Sequence, residues 1–496
     1  MSSDVETGRI RTRIPARLDR LPWSAWHWRV IIGLGTVWIL DGLEVTIVGS
    51  ISAQIGMKGS GVGISAANVS GLAASLYVAG ACVGALIFGQ LTDRFGRKKL
   101  FMITLATYLV ATILTAFSFA PLWFYVFRFF TGFGIGGEYS AINSAIDELI
   151  PAEHRGRVDV GINGSYWAGA GGGALLAVLA LNNTAVNVGW RLCFGLGAIF
   201  GLGILIIRRS VPESPRWLFI HGREQEAEEV VDDIERQVRE SGHRDLPEAE
   251  GEMTVRQRRT IPLSLIVRSV VTLYPRRTIL GLALFVGQAF LYNSILFGLG
   301  VLLSTYFKVS ADNVPYYIAI FAVGNLFGPL VLGRLFDTIG RKPMISGTYL
   351  LSGALLIVTA LLFAGKSLTA ASLIVALTIV FFFASAGVSA AYLTVSEIFP
   401  METRALCIAV FYAVGTGIGG ITGPLVFQAL IKTGSYGKAE LALILGGGMM
   451  IIGGIAELIF GVRAERQSLE NIAKPLTAED TPGSGQGGPV TQPSPA

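Results

Sequence analysis

The sequence repeats one ten-residue stretch. Gly89-Gln-Leu-Thr-Asp-Arg-Phe-Gly-Arg-Lys98 returns 244 positions later as Gly333-Arg-Leu-Phe-Asp-Thr-Ile-Gly-Arg-Lys342. A second pattern, Glu-x-x-Pro followed by an arginine, runs from Glu148 to Arg155 and returns 249 positions later from Glu397 to Arg404. Two unrelated patterns displaced by nearly the same distance indicate a chain built from two similar halves.

The composition places these halves in a membrane. Of the 496 residues, 52% are apolar and only 15% are charged, whereas soluble chains carry about 25% charged residues. The apolar residues form twelve blocks of about 20 to 25 residues, long enough to cross the hydrocarbon core. We therefore predict an all-α polytopic membrane protein with 12 transmembrane helices in two pseudo-symmetric six-helix bundles. The blocks begin near Arg29, Asn68, Leu100, Leu122, Val160, Val188, Thr278, Asn313, Pro343, Thr369, Leu406 and Lys438.

The positions of the positive charges predict the orientation. The net charge of +5 would suit a nucleic-acid partner, but the positions of the charges exclude one. Of the 39 lysines and arginines, all but seven lie in the two termini or in the connections on the same side. The positive-inside rule then puts both termini in the cytoplasm, and the absence of an organellar leader favours a bacterial plasma membrane. The seven exceptions are Lys58, Arg128, Arg191, Lys308, Lys366, Lys432 and Lys438.

The blocks and the charged stretches divide the chain into five parts. We expect a cytoplasmic N-terminal tail over 1–28, the first bundle over 29–208, a cytoplasmic helical loop over 209–277 and the second bundle over 278–462. The final part, 463–496, is rich in Pro, Gly and Ser from Lys474 onward, which favours a mostly disordered cytoplasmic tail.

These motifs resemble those of the major facilitator superfamily. The repeated ten-residue loop is similar to the signature of that family, and the Pro-Glu-Ser-Pro-Arg-Trp run within 211–218 looks like the sugar porter branch. The glycine-rich run at 132–139 is similar to metabolite:proton symporters. Segment 287–293 keeps only one of the paired glutamines of sugar porters, and 464–467 replaces their Pro-Glu-Thr-Lys-Gly. The resemblance implies a transporter fold and leaves hexose recognition open.

The resemblance also implies a gate of ion pairs on the cytoplasmic side, which closes one conformation and releases in the other. Asp93 is in addition suited to accept hydrogen bonds from the free amides of a helix N-terminus. The alternative is an ordinary set of water-exposed pairs that contribute little energy. The predicted gate residues are Asp93, Arg94, Arg97, Glu148, Arg155, Asp337, Arg341, Glu397 and Arg404.

Four ionisable residues lie within the apolar blocks, where a charge costs at least about 2.5 to 3.5 kcal/mol. Asp41 and Glu44 share one face of the first helix, and the rise per residue brings Arg128 to a similar depth. We expect Asp41 or Glu44 to take up a proton, with Arg128 lowering its pKa until the pair breaks. The alternative is a structural pair that holds two helices together. Glu138 lies nearer the cytoplasm and is predicted to be a separate proton station, or a carboxylate bonded to the nearby backbone.

Polar and aromatic residues midway along the helices are the candidate substrate contacts. The alternative for each is packing or hydrogen bonding between helices. The glycine runs 169–173 and 415–420 are expected to let helices approach closely. The candidates are Asn163, Tyr166, Trp167, Gln288, Tyr292, Asn293 and Asn325.

The remaining reactive residue types indicate no catalytic chemistry. All three cysteines lie inside apolar blocks and all four histidines lie outside them, so we predict no metal site, no cofactor and no enzyme activity. The leading hypothesis is a monomeric, proton-coupled symporter of a small polar metabolite (a sugar, polyol or organic acid) that works by alternating access in the lipid bilayer. The alternatives are a proton-driven exporter of drugs or metabolites and a transport-inactive membrane sensor.

Overall fold

The computed structural model describes residues 7–65, 68–151, 153–208, 212–242, 245–249, 251–257, 269–310, 313–400, 404–465, 467 and 472–473. Within these residues, eleven helices are long and apolar enough to cross a membrane. The helix Pro121–Leu149 is equally long, but Arg128 and Glu138 make it less apolar. With this helix included, the fold confirms the twelve predicted spans.

We number the spans 1 to 12 in chain order. Spans 1 to 6 comprise Ala25–Ile55, Ala74–Phe95, Arg97–Ala116, Pro121–Leu149, the pair Arg155–Gly164 and Tyr166–Asn183, and Val186–Arg208. Spans 7 to 12 comprise Pro275–Phe307, Val314–Thr338, Arg341–Ala364, Ala370–Ile398, the pair Arg404–Gly415 and Ile421–Ile431, and Tyr436–Phe460. A π-helical turn, Val69–Ala73, precedes span 2, and another, Thr416–Gly420, interrupts span 11.

The packing of the helices repeats with a shift of six spans. In the first half, span 1 packs along span 5, span 2 along span 4 and span 3 along span 6; in the second half, spans 7 and 11, 8 and 10, and 9 and 12 pair in the same way. Spans 5 and 8 and spans 2 and 11 join the two halves. This arrangement agrees with the duplication in the sequence. The residue boundaries of the five predicted parts remain a proposal.

Spans 2 and 4 approach one another through two pairs of glycines. A Cβ atom on Gly80 or Gly84 would lie 2.0 Å from a carbonyl oxygen of span 4, and a Cβ atom on Gly132 or Gly136 would lie 1.9 Å from one of span 2. Small residues spaced four apart on both helices thus bring the two backbones into contact.

The predicted glycine runs have the same role in spans 5 and 11. A Cβ atom on Gly169 would lie 1.7 Å from the Ile39 carbonyl oxygen of span 1, and one on Gly419 would lie 2.4 Å from the Val286 carbonyl oxygen of span 7. Because spans 5 and 11 are equivalent in the two halves, the close contacts also repeat. The expectation of close helix approach is confirmed at these positions.

The N-terminal segment is folded, although the sequence predicted only a tail there. Strand Thr7–Thr12 pairs antiparallel with strand Met253–Gln257, and a short helix, Ile14–Asp19, follows. This segment packs on the helix Glu224–Glu240, which lies within the predicted helical loop. Residues 474–496, predicted to be disordered, lie outside the described residues.

Ion pairs hold this segment in place. Arg17 contacts Glu228 and Asp232 at 2.6 Å and Glu235 at 2.9 Å, and Arg20 contacts Glu235 at 2.6 Å. Burial raises the pKa of Glu235, but the hydrogen bonds from Arg17 and Arg20 outweigh burial, so that its pKa lies below the ordinary value. The stabilisation from Glu235 is therefore present at neutral pH and is lost as the pH falls through this lowered pKa.

We expect Gly132→Ala to destabilise the protein. The added methyl group would meet the Tyr77 carbonyl oxygen at 1.9 Å, so spans 2 and 4 must separate, and overpacking of this kind costs about 1 to 3 kcal/mol. The melting temperature of the detergent-purified variant measures the effect. Gly195→Ala is the matched control, because its Cβ atom meets no other atom within 4 Å. Equal melting temperatures for the two variants would contradict the tight helix contact.

Candidate substrate and proton site

Two buried carboxylates of span 1 have different partners. Glu44 accepts a hydrogen bond from Arg128 of span 4, with 2.5 Å between Nη1 and Oε1, and both side chains are at most 2% exposed. Asp41 is also buried, but its Oδ1 accepts from the Tyr77 hydroxyl at 3.0 Å and its Oδ2 accepts from the Tyr139 hydroxyl. Arg128 is therefore the partner of Glu44, while two tyrosines hold Asp41.

Tyr77 links the two carboxylate centres. Its hydroxyl bonds to Asp41, and the Arg128 guanidinium lies 4.8 Å from the centre of its ring. A cation close to an aromatic ring is attracted to it. Arg128, Glu44, Tyr77 and Asp41 thus form one connected group between spans 1, 2 and 4.

The four predicted proton residues have different surroundings in the structure. The predicted pairing of Arg128 with span 1 is present, and it falls on Glu44. Glu138 is buried one residue before Tyr139, and it is Tyr139 that reaches Asp41. The geometry thus brings Asp41, Glu44 and Arg128 together through Tyr77. Their roles in proton transfer remain a proposal.

A cavity of about 130 Å³ lies between the two halves, beside Tyr77 and Tyr139. It is lined by residues of spans 1, 2, 4, 5, 7, 10 and 11. The aromatic and polar lining residues are Trp38, Tyr77, Tyr139, Asn163, Tyr166, Trp167, Gln288, Tyr292, Asn293, Phe297, Ser385, Ser389, Tyr392, Tyr412 and Thr416.

Aromatic rings from both halves form the walls of this cavity. Trp38 stacks on Tyr139 with 4.7 Å between ring centres, and Tyr412 of the second half lies 4.7 Å from Tyr139. On another wall, Trp167 of the first half lies 5.6 Å from Tyr292 of the second half. The rings are close enough for offset or edge contacts. Any substrate in the cavity would touch both halves at once.

Six of the seven predicted substrate contacts line the cavity, namely Asn163, Tyr166, Trp167, Gln288, Tyr292 and Asn293. Asn325 does not. It is fully buried behind the wall, where its Oδ1 accepts from the Tyr292 hydroxyl at 3.4 Å and its backbone oxygen accepts from Ser385. Asn325 therefore orients a lining residue and makes no direct contact with the cavity.

Sequence reasoning missed several lining residues, chiefly Trp38, Tyr77, Tyr139, Tyr392 and Tyr412. A signal was present for two of them, because Trp38 lies three positions before Asp41 on the same helix face and Tyr139 follows Glu138. Tyr392 and Tyr412 are isolated tyrosines in apolar spans. Both belong to the second half, and only the packing of the two halves brings them next to Tyr139 of the first.

Four of the predicted gate residues, Arg155, Asp337, Arg341 and Glu397, contact one another at the end of the helical body where the repeated loops and the N-terminal segment lie. We call this the basic end. Arg341 forms two hydrogen bonds of 3.1 Å to Glu397 and one of 2.7 Å to Asp337. Asp337 also accepts from the backbone nitrogen of Arg157 at 2.7 Å, and Arg155 lies 4.0 Å from Glu397. The first half is thereby joined to the second at the basic end.

The remaining predicted gate residues lie in different surroundings or outside the described residues. Arg94 is exposed beside the Phe95 ring, and Arg97 is buried at the start of span 3. The side chains of Asp93, Glu148 and Arg404 lie outside the described residues. The predicted gate roles remain a proposal.

Two glutamates cap equivalent helices at the basic end. Glu213, in the Pro-Glu-Ser-Pro run, accepts hydrogen bonds from the backbone nitrogens of Arg97 and Lys98 at 3.0 and 3.1 Å. In the second half, Glu465 accepts from the backbone nitrogen of Arg341 at 3.3 Å. A carboxylate at a helix N-terminus satisfies free amides and complements the helix dipole. Segment 464–467, which replaces the Pro-Glu-Thr-Lys-Gly of sugar porters, therefore still provides a carboxylate, that of Glu465.

The part of the chain that the structure describes contains no group of three or more His, Cys, Asp or Glu residues able to hold a metal ion. The lining residues of the cavity include no charged side chain among those described. The site therefore consists of aromatic rings, hydroxyls and amides, with the charged groups directly behind it.

Two six-helix halves around a central cavity define a membrane transporter. Residues 30–475 match the family model described as sugar (and other) transporter, so the chain belongs to this family of the major facilitator superfamily. The protein is a transporter of this class and not an enzyme.

Two of the relatives are named as a niacin transporter and a putative metabolite transport protein. The niacin transporter NiaP of Acinetobacter baylyi is 29% identical over 83% of this chain and 89% of its own length. The putative metabolite transport protein YdjK of Escherichia coli is 29% identical over 92% of this chain and 96% of its own. The proton:xylose symporter XylE, bound to 6-bromo-6-deoxy-D-glucose, has the same fold with a TM-score of 0.73, at 19% identity over 90% of this chain and 98% of that one.

We expect Arg128→Met to destabilise the protein by about 3 to 5 kcal/mol, because it leaves the Glu44 carboxylate buried without its partner. The double variant Glu44→Met with Arg128→Met should recover most of this loss. Unfolding of the detergent-purified variants measures both effects, and Lys99→Met, at an exposed cation, is the control. A double variant as unstable as the single one would show that the pair does not balance two buried charges.

Proposed function

We propose that this protein is a proton-coupled importer of a small planar organic acid. The observation that carries the proposal is the position of Tyr139. Its hydroxyl donates to Asp41 while its ring lines the cavity and packs on Trp38 and Tyr412. One residue therefore contacts both the candidate proton carrier and the space for the substrate.

The lack of charge on the described cavity lining favours a neutral cargo. A lone carboxylate in this cavity would face no cationic side chain, and burying an uncompensated charge is costly. A monocarboxylate that travels with one proton has no net charge. Asp41, held by two lining tyrosines, is in position to supply that proton. We infer a stoichiometry of one proton for each monocarboxylate.

The shape and chemistry of the walls favour a planar ring. Stacked and edge-on aromatic side chains suit a flat aromatic substrate, while the amides of Gln288 and Asn293 offer donors to a carboxylate. The niacin transporter among the relatives carries a compound of this kind, as its name states. The same amides would suit sugar hydroxyls, and the neighbour with bound sugar analogue makes a pentose or hexose the second candidate.

Asp41 couples the proton to the substrate through its tyrosine partners. While Asp41 is ionised, the hydroxyls of Tyr77 and Tyr139 are engaged as donors to it. Protonation weakens these bonds, so the hydroxyls become able to donate to a substrate carboxylate. Substrate binding then closes the aromatic walls of the two halves around the cargo. Glu44 keeps its bond to Arg128 through this step and holds spans 1 and 4 in register.

Alternating access requires that the central cavity be closed on one side of the membrane. The contacts between the halves at the basic end provide this closure. Asp337 and Glu397 of the second half contact Arg157 and Arg155 of the first, and the Arg341 guanidinium lies against Gly156. By the positive-inside rule the basic end and both termini face the cytoplasm, and the bacterial relatives favour the plasma membrane. In this arrangement the gate is closed towards the cytoplasm, and release of the ion pairs opens the cavity on that side.

We expect Asp41→Asn to abolish uptake driven by a proton gradient and to leave counterflow exchange of substrate intact, because exchange requires no net proton movement. Purified protein in liposomes, with substrate loaded inside for the exchange assay, gives both measurements. Glu440→Gln is the control, since it removes a carboxylate at the start of span 12, away from the cavity. Equal loss of uptake and exchange in Asp41→Asn would favour a structural role.

A substrate panel tests the chemical class. We expect nicotinate and benzoate to enter right-side-out vesicles in a pH-dependent manner, with no response to a potassium diffusion potential, because the cotransported pair is neutral. Xylose and glucose should neither enter nor compete. Sugar uptake without nicotinate uptake would replace the organic acid by the second candidate, and outward pumping alone would identify an exporter.

A further inference from the structure

A second cavity, of about 540 Å³, lies on the outer surface of the helical body, where spans 1 and 5 of the first half meet span 8 of the second. Its walls are mostly apolar, with Ile31, Ile32 and Ile39 on span 1 and Leu330 on span 8. Ile32 and Leu330 are 55% and 57% exposed. The groove is therefore open towards the surrounding lipid and is separate from the central cavity.

Two guanidinium groups lie at the basic end of this groove. Arg157 is near the start of span 5, and Arg334 lies one turn before the end of span 8. Both side chains are exposed, and among the described residues neither guanidinium has an acidic partner within salt-bridge distance. Arg157 lies 5.3 Å above the Trp23 ring, with Trp28 also on the wall. Arginine beside tryptophan is typical of the membrane interface.

The length of the groove matches one leaflet. From Trp28 to Ile39 span 1 rises about 16 Å, which is about half of the roughly 30 Å hydrocarbon core. Gly161 of span 5 forms part of the floor, and a Cβ atom on it would meet nothing within 4 Å. An acyl chain running from the two arginines would have apolar contacts along the whole groove. A soluble anion would leave these walls uncovered.

We propose that this groove binds an anionic phospholipid of the leaflet at the basic end, with the phosphate between Arg157 and Arg334 and one acyl chain along spans 1, 5 and 8. Basic pockets between transmembrane helices are suited to phosphate headgroups. Because the groove is formed by both halves, the bound lipid stabilises the arrangement in which the basic end is closed. Lipid binding in this groove does not depend on the transported substrate.

Native mass spectrometry of the full chain, purified in detergent and mixed with phosphatidylglycerol or phosphatidylcholine, measures the retained lipid. We expect the wild type to retain phosphatidylglycerol preferentially. The double variant Arg157→Gln with Arg334→Gln should lose this preference, with phosphatidylglycerol affinity falling about 30-fold for two interfacial arginines. Inorganic phosphate at millimolar concentration should not displace the lipid.

Two further variants separate the groove from general charge effects. Arg276→Gln with Arg463→Gln removes two exposed cations at the same end that do not line the groove, and it should retain phosphatidylglycerol as the wild type does. Gly161→Leu fills the floor without changing charge and should reduce retention of the lipid. In parallel, phosphatidylglycerol should raise the melting temperature of the wild type and of the Arg276/Arg463 control but not of the Arg157/Arg334 variant, which also shows that each variant is folded.

Equal retention of the two lipids by the wild type would overturn the proposal. So would unchanged phosphatidylglycerol binding in both groove variants, or displacement of the lipid by inorganic phosphate, which would indicate a site for soluble anions. None of these results bears on nicotinate uptake, so failure here is distinguishable from failure of the proposed transport function.

Discussion

The central constraint on this protein is the partnering of charges that are buried within its membrane spans. Glu44 and Arg128 satisfy one another at 2.5 Å, and Asp41 is satisfied by two tyrosine hydroxyls. The two kinds of partner differ in whether the carboxylate can accept a proton. An ion pair keeps both groups charged, whereas a carboxylate held by neutral hydroxyls can accept a proton without leaving a cation unpaired. This asymmetry between neighbouring carboxylates supports the proposed roles, a structural one for Glu44 and the exchangeable proton for Asp41.

The rest of the site depends on this difference, because the tyrosines that hold Asp41 also line the cavity. Tyr77 of span 2 and Tyr139 of span 4 both reach Asp41, and the glycines of these two helices bring their backbones into contact. Tyr139 in turn packs against Tyr412 of the other half. A change at the carboxylate therefore reaches the interface between the halves through two direct contacts.

The interface between the halves has three distinct environments. The centre is an uncharged aromatic cavity, the basic end is a set of ion pairs that includes Arg341 and Glu397, and the outer surface is an apolar groove with arginines at one end. Each of the three is built from residues of both halves. Movement of one half against the other must change all of them together, so the proposed substrate, gate and lipid sites would act on the same conformational equilibrium.

The sequence by itself determined the twelve spans, the duplication and the identity of the buried charges, because apolar length, repeated motifs and intramembrane carboxylates are local features of the chain. It also identified six lining residues, because polar and aromatic side chains in mid-span contact either a pathway or a neighbouring helix. Only the tertiary structure decided that Arg128 pairs with Glu44, that Asn325 acts from behind the wall and that Tyr392 and Tyr412 enter the site. It likewise decided that the N-terminal segment folds onto the helix Glu224–Glu240. These outcomes depend on contacts between residues far apart in sequence, and helix periodicity gives the face and depth of a residue but does not specify which neighbour it meets.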